Sequence, residues 1–195
     1  MRIAVLISGR GSNMLQLAAH AGPASGFEIV LVAANKACDG LAHAEAHGLW
    51  THLVSRADFA SQQDQEAALG DVIVEAGAEI ICLAGYMAIL SPAFVERFAG
   101  RIINIHPSLL PAFGGKGFYG NRVHTAVIEQ GVTTSGCTVH FVDNEYDHGS
   151  VLLQRQVPVA SDDSPETLAA RVFLEECEAL PEAINLLAQR HQLKQ

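Results

Sequence analysis

The chain has 195 residues, room for one α/β domain at about 150 residues per domain. Its composition is 49% hydrophobic and 17% charged, which excludes disorder as the main state and suffices for a core without disulfide or metal staples. Twelve Lys and Arg against 21 Asp and Glu leave a net charge of −9. That balance excludes tracking of a nucleic-acid backbone as the main task, yet permits one small anion held by local donors.

In chain order, the apolar run 3–7 predicts a strand buried on both faces, and residues 15–20 a helix. The first run is shorter than the apolar core of a secretory leader, and the longest mostly apolar stretch, 80–90, is too short to span a bilayer. A second buried strand is predicted at 27–34, a helix at 40–47 and a weaker strand at 50–54. Residues 63–75 predict a helix with Ala67, Ala68, Val72 and Ile73 on one face, followed by a strand at 79–84. Ser91-Pro92 is a helix start, with serine at the N-cap and proline at N1, and 101–105 is a fifth strand. Beyond Pro111 a glycine-rich loop, FGGKGFYGN, leads into a helix at 122–129. Two β-rich runs follow, 134–142 and 151–159, joined by the polar turn DNEYDHGS. Ser164-Pro165-Glu166 opens a long last helix, expected to be interrupted near Pro181.

Buried strands alternating with helices predict an α/β fold with a doubly wound, mostly parallel, Rossmann-like sheet and an antiparallel C-terminal edge. No repeat, low-complexity tract or linker divides the chain, so 1–195 reads as a single domain. The cysteines Cys38, Cys82, Cys137 and Cys177 form no CxxC pair, so a reducing, cytoplasmic setting is expected, with no metal.

Ser8-Gly9-Arg10-Gly11-Ser12-Asn13 lies between the first strand and its helix, where free backbone N–H groups and the helix dipole attract an anion. A dinucleotide turn would have glycine where Met14 stands, and the P-loop pattern GxxxxGK[ST] is absent. A phosphomonoester site and a simple tight turn both remain open for this loop.

Asn104 and His106, in INIHPSLLP, are two apart at a strand end, so their side chains share a side. They fall where the carboxyl ends of a parallel sheet form the ligand crevice. A neutral amide donor and an imidazole at one point suit acyl transfer through an oxyanion. Asp143, Glu145 and Asp147 are candidates for an acid that supports the charged imidazole. No nucleophile elbow is present, which favours direct transfer. A structural Asn and a surface His are the bland alternative.

SGRGSN, INIHPSLLPAF and SGCTVHFVDNEYDHGSVLLQ, in that order through nearly the whole chain, together resemble the phosphoribosylglycinamide formyltransferases of the formyltransferase superfamily. The resemblance implies transfer of a formyl group from 10-formyltetrahydrofolate to the amine of glycinamide ribonucleotide, in purine (IMP) biosynthesis. By that likeness Asn104, His106 and Asp147 are catalytic, with His106 the general acid and Asp147 its support. Gly11, Ser12 and Asn13 would hold the substrate phosphate, and Glu176 the glycinamide end. Met87, Ala88, Ile89 and Leu90, with Asn104 and the turn 142–147, would line the folate slot. His140 matches a family histidine and reads as a support for that turn. The chain departs from the family at Ala88, at Gln62 and Gln63, where a folate-tail arginine often stands, and at Cys177. Lys116 and Arg122 are available to replace that charge.

The partners implied are small molecules, without nucleic acid or membrane, for a monomer or homodimer. The alternatives are a 10-formyltetrahydrofolate hydrolase and a non-catalytic phosphate-binding module. A methionyl-tRNA formyltransferase is disfavoured by the acidic charge. His43 and His47 lie four apart, but HAEAH lacks the HExxH arrangement of a zinc protease and reads as a solvated helix face. Cys82 reads as a core residue.

Overall fold

The computed structural model describes residues 1–23 and 25–192, with side chains described as far as residue 190. The chain forms two compact units, Met1–Ile103 with the segment from Ile184 on, and Asn104–Ala183.

The first unit contains β1 (Arg2–Ile7), α1 (Ser12–His20), β2 (Glu28–Ala34), α2 (Asp39–Ala46), β3 (Thr51–Leu53), α3 (Gln62–Glu75), β4 (Ile80–Leu83), α4 (Pro92–Arg97) and the start of β5 (Ile102–His106). A single 3-10 turn, Arg56–Asp58, precedes α3. The strands run in the order β3-β2-β1-β4-β5. β1 is parallel to both β2 and β4, and β2 to β3. Ile3 to Ile7 have no exposed surface, as expected of a central parallel strand covered on both faces. The strand order reverses between β1 and β4, so the crevice rule for open α/β sheets points to their carboxyl ends. The loops that leave those ends are 8–11 and 84–91.

α3 corrects the predicted helix face. Ala67 is exposed, and the inward residues are Gln65, Glu66, Leu69, Gly70 and Ile73. Two polar side chains turn inward because each finds polar partners: Gln65 donates to the Val54 carbonyl at 2.7 Å, and Glu66 accepts from Ser91 and Gln62. α4 starts as predicted, with the Ser91 hydroxyl accepting from the Phe94 N–H and Pro92 in the first turn.

The second unit holds the end of β5, α5 (Asn121–Glu129), β6 (Thr134–Phe141), β7 (Val151–Pro158) and most of α6 (Pro165–Gln192). β6 lies between β5 and β7 and pairs with β7 antiparallel, with a register shift at Val139/His140. The predicted interruption of the last helix is not found: α6 continues through Pro181. Proline removes one N–H from the i→i−4 ladder, and here the helix runs on from both sides of that gap. Among the described residues no helix is long and apolar enough to cross a membrane.

Candidate active site

The strand β5 ends with Asn104 half-buried and His106 only 4% exposed. The chain then runs through 107–113 and is pinned to its neighbours. Thr138 of β6 donates its hydroxyl to the Ser108 carbonyl at 2.6 Å and accepts the Leu110 N–H at 3.0 Å. Gln154 of β7 donates to the Leu110 carbonyl at 2.9 Å. Ser108 donates to the Ala112 carbonyl at 2.6 Å, which turns the chain back so that the Phe113 carbonyl faces His106.

Around β5 the second unit brings four side chains together. The Nε2 of His106 lies 2.9 Å from the Phe113 carbonyl oxygen and therefore carries a proton there. Its Nδ1 faces Asp147 Oδ2 at 3.6 Å, an ion-pair rather than hydrogen-bond separation. His140, at the end of β6, points Nδ1 at the Phe141 carbonyl at 2.8 Å, which assigns a proton to that nitrogen. Burial lowers the pKa of His140 against the opposing pull of that carbonyl and of Asp147, so the ring favours its neutral form. Its Nε2 is then an acceptor, and Asn104 Nδ2 donates to it across 3.2 Å. The bond also fixes which way the Asn104 amide points. Asp147 Oδ1 stands 3.6 Å from the same Nε2.

The turn that carries Asp147 is built for this placement. Asp147 Oδ2 accepts the Gly115 N–H at 2.8 Å. Asp147 (φ 57°) and Phe113 (φ 55°) have positive φ, a conformation few side-chain-bearing residues adopt. Both of them face His106, and strained backbone of this kind gathers at functional sites. A Cβ at Gly149 would fall on the Phe141 carbonyl oxygen, so only glycine lets the turn return to β7. Of the three acids in that turn, only Asp147 reaches His106; Asp143 accepts the Glu145 N–H, and Glu145 pairs with His148.

Two residues join the site that the sequence reading left outside it. His140 reads from the sequence as a support for the turn; it stands 3.6 Å from Asp147 of that turn and also orients Asn104. Its position along β6 carried no signal for the Asn104 contact, because that partner lies 36 residues away in the chain. His124 of α5 is buried, its Nδ1 has no hydrogen-bond partner, and its pKa is lowered by burial and then by the charge of His106. Glu176 is a buried acid of α6, whose charge adds to burial in pushing the Cys137 thiol up to about 12.

The remaining predicted site residues belong to the first unit. Gly11 (φ 74°) is the N-cap of α1, and no side chain caps that terminus. A Cβ on Gly11 would also crowd Met14 and the Gly40 backbone. α2 braces the loop: the Gly40 N–H donates to the Gly9 carbonyl at 3.1 Å, and His43 Nδ1 lies 3.1 Å from the Arg10 carbonyl. His43 is exposed, as read from the sequence, but its ring contacts the loop rather than solvent alone. In the segment 87–90 the Met87 N–H donates to the Ser8 hydroxyl at 2.8 Å, while the side chains of Met87 and Ile89 are exposed.

Residues 1–184 match the Formyl transferase family. The chain is 45% identical to the crystal structure of a phosphoribosylglycinamide formyltransferase from Brucella melitensis, with a TM-score of 0.87 over 96% of this chain and 95% of that one. It is 39% identical to a chloroplastic phosphoribosylglycinamide formyltransferase of Arabidopsis thaliana, over 96% of this chain and 65% of that protein. It is also 44% identical to a trifunctional purine biosynthetic protein adenosine-3 of Gallus gallus, over 96% of this chain. The chain spans 18% of that trifunctional protein's length.

Proposed function

The chain belongs to the formyl transferase family, and we propose that it transfers the formyl group of 10-formyltetrahydrofolate to the amine of glycinamide ribonucleotide. The observation that carries this reading is the convergence of Asn104, His106 and Asp147, with His140 fixing the amide.

In this mechanism the glycinamide amine attacks the formyl carbon directly. Asn104 donates one amide N–H to His140 and keeps the other for the oxygen that becomes negative. His106 is the acid: its proton goes to the oxyanion or to N10 of the folate as the carbon–N10 bond breaks. The amine gives up its extra proton toward Asp147 through water, and the products are formylated ribonucleotide and tetrahydrofolate. The uncapped N-terminus of α1, with Gly11, Ser12 and Asn13, suits the single phosphate of the acceptor. Glu176 suits its glycinamide end. Met87 and Ile89 offer exposed apolar side chains, and with half-buried Ala88 and Leu90 a backbone, to the folate ring system. No metal is assigned a role, because amide, imidazole and carboxylate together supply the donors and the acid. We place the protein in the cytoplasm, in one-carbon and purine metabolism, as a monomer or homodimer working on small molecules.

A hydrolase would use the same three side chains and let water take the formyl group. The test is to follow tetrahydrofolate release with and without glycinamide ribonucleotide. Turnover is expected only with the acceptor present, and turnover that ignores it would establish hydrolysis instead.

A further inference from the structure

Residues 86–91 follow β4 and present the apolar side chains of Met87 and Ile89 to solvent. A segment without regular secondary structure keeps such a shape only if its backbone groups are tied down. At one end Met87 is held by Ser8, whose hydroxyl donates in turn to Asn35 Oδ1 at 2.6 Å. At the other end α3 supplies ties through Gln62 and Glu66, beside the start of α4 at Ser91. Gln62 donates to the Ile89 carbonyl at 2.8 Å and to Glu66 Oε1 at 2.9 Å. Glu66, 6% exposed, accepts the Ser91 N–H on the same oxygen at 2.9 Å, and its Oε2 accepts the Ser91 hydroxyl. Tyr86, at the start of the segment, stays protonated beside Glu66: burial and then that negative charge push its hydroxyl up to about 12.

An inward-facing carboxylate on a helix is costly unless its oxygens are satisfied. Glu66 makes polar bonds to Ser91 and Gln62, within the first unit. The Gln62 amide donates to Glu66 and to Ile89, so this side chain is engaged with the protein's own backbone.

We propose that Gln62 and Glu66 are positioning residues that hold residues 87–91 in shape, so that α3 sets the affinity for the formyl donor without touching it. This rests on reading 87–90 as the folate segment. The proposal predicts a loss confined to one substrate. Gln62 is exposed, so Gln62→Ala leaves folding intact while freeing Ile89.

Steady-state kinetics with both substrates test the proposal. In Gln62→Ala the KM for 10-formyltetrahydrofolate is expected to rise about tenfold, the worth of one well-made hydrogen bond. The kcat and the KM for glycinamide ribonucleotide should stay within about twofold of the parent, because only donor binding is disturbed. Glu66→Ala should act in the same direction and more strongly. Glu66→Gln, which keeps an acceptor oxygen for the Ser91 N–H, should recover most of that loss. An unchanged donor KM in both Gln62→Ala and Glu66→Ala overturns the positioning role. So does a parallel change in both KM values and kcat, which marks a merely structural part. The double variant Met87→Ala, Ile89→Ala separates the two readings. If it raises the donor KM while Gln62→Ala and Glu66→Ala do not, positioning fails and the folate segment stands. If it leaves the donor KM unchanged, the folate segment itself is wrong and the proposal falls with it.

Discussion

His106 is held between a carbonyl on Nε2 and a carboxylate facing Nδ1, and this determines what each substitution should remove. His106→Ala deletes the acid, and Asp147→Asn deletes the charge opposite Nδ1. Each is expected to lower kcat by about 10²–10⁴-fold with little change in thermal stability, measured as initial rate and Tm on the same preparations. Near-normal turnover in Asp147→Asn would remove Asp147 from the mechanism. Asn104→Ala should cost about 10²–10³-fold in kcat, the range for loss of one oxyanion donor. The neighbouring histidines make a separate prediction about pH. His140 and His124 both have lowered pKa values, chiefly through burial, so the folded protein keeps them neutral. In the unfolded chain they take up protons at about pH 6.5, so the unfolded state binds more protons there and the free energy of unfolding rises with pH. This stability is present above that value and lost as the pH falls through it. The Tm is therefore expected to fall between about pH 7.5 and 5.5, and His124→Gln should flatten the slope. A Tm that stays level over that interval would refute the neutral, buried state of these rings. Asp163, whose pKa is lowered first by its hydrogen bond to Arg171, loses its contribution only as the pH falls through the ordinary carboxylate range and beyond, outside this window.

At the scale of elements, polar caps and glycines fix how loops meet helices. Ser61 caps α3 by accepting the Asp64 N–H at 3.1 Å, and its hydroxyl donates back to the Asp64 carboxylate. Ser61→Ala should therefore destabilise the protein by about 1 kcal/mol in denaturant unfolding, an ordinary cap loss. A value near zero would mean that packing alone holds the start of the helix. The start of α4 at Ser91 was open to sequence reasoning, because serine followed by proline is local information. The inward face of α3 was not. Alanines and valines mark a weak apolar stripe, whereas Gln65 and Glu66 turn inward only because Val54 and Ser91 offer partners distant in sequence. Pro181 repeats the lesson in reverse: a local rule against proline in a helix yields where the flanking turns of α6 pack, with Ala179, Leu180, Ala183 and Ile184 all buried.

For the whole molecule, the net charge of −9 sets the long-range field. At physiological salt, about 0.15 M, the protein is expected to pass unretained through a heparin or DNA column, since acidic residues outnumber basic ones 21 to 12. Retention with a steep salt dependence would contradict the small-molecule reading. The alternation of buried strands and helices was legible because chain periodicity records burial on each element, and the sheet follows that alternation closely. Asn104 and His106 were legible too, since a spacing of two on one strand places both on one side. The choice of Asp147 among three acids came from likeness to a family, and only the folded turn, with its positive φ and the Gly115 N–H, supplies a physical reason for it. His140, the orientation of the Asn104 amide and the inward turn of Glu66 belong wholly to tertiary structure. Periodicity is a property of neighbours along the chain, whereas a hydrogen bond between residues 36 apart, as from Asn104 to His140, exists only once strands and turns have been brought together.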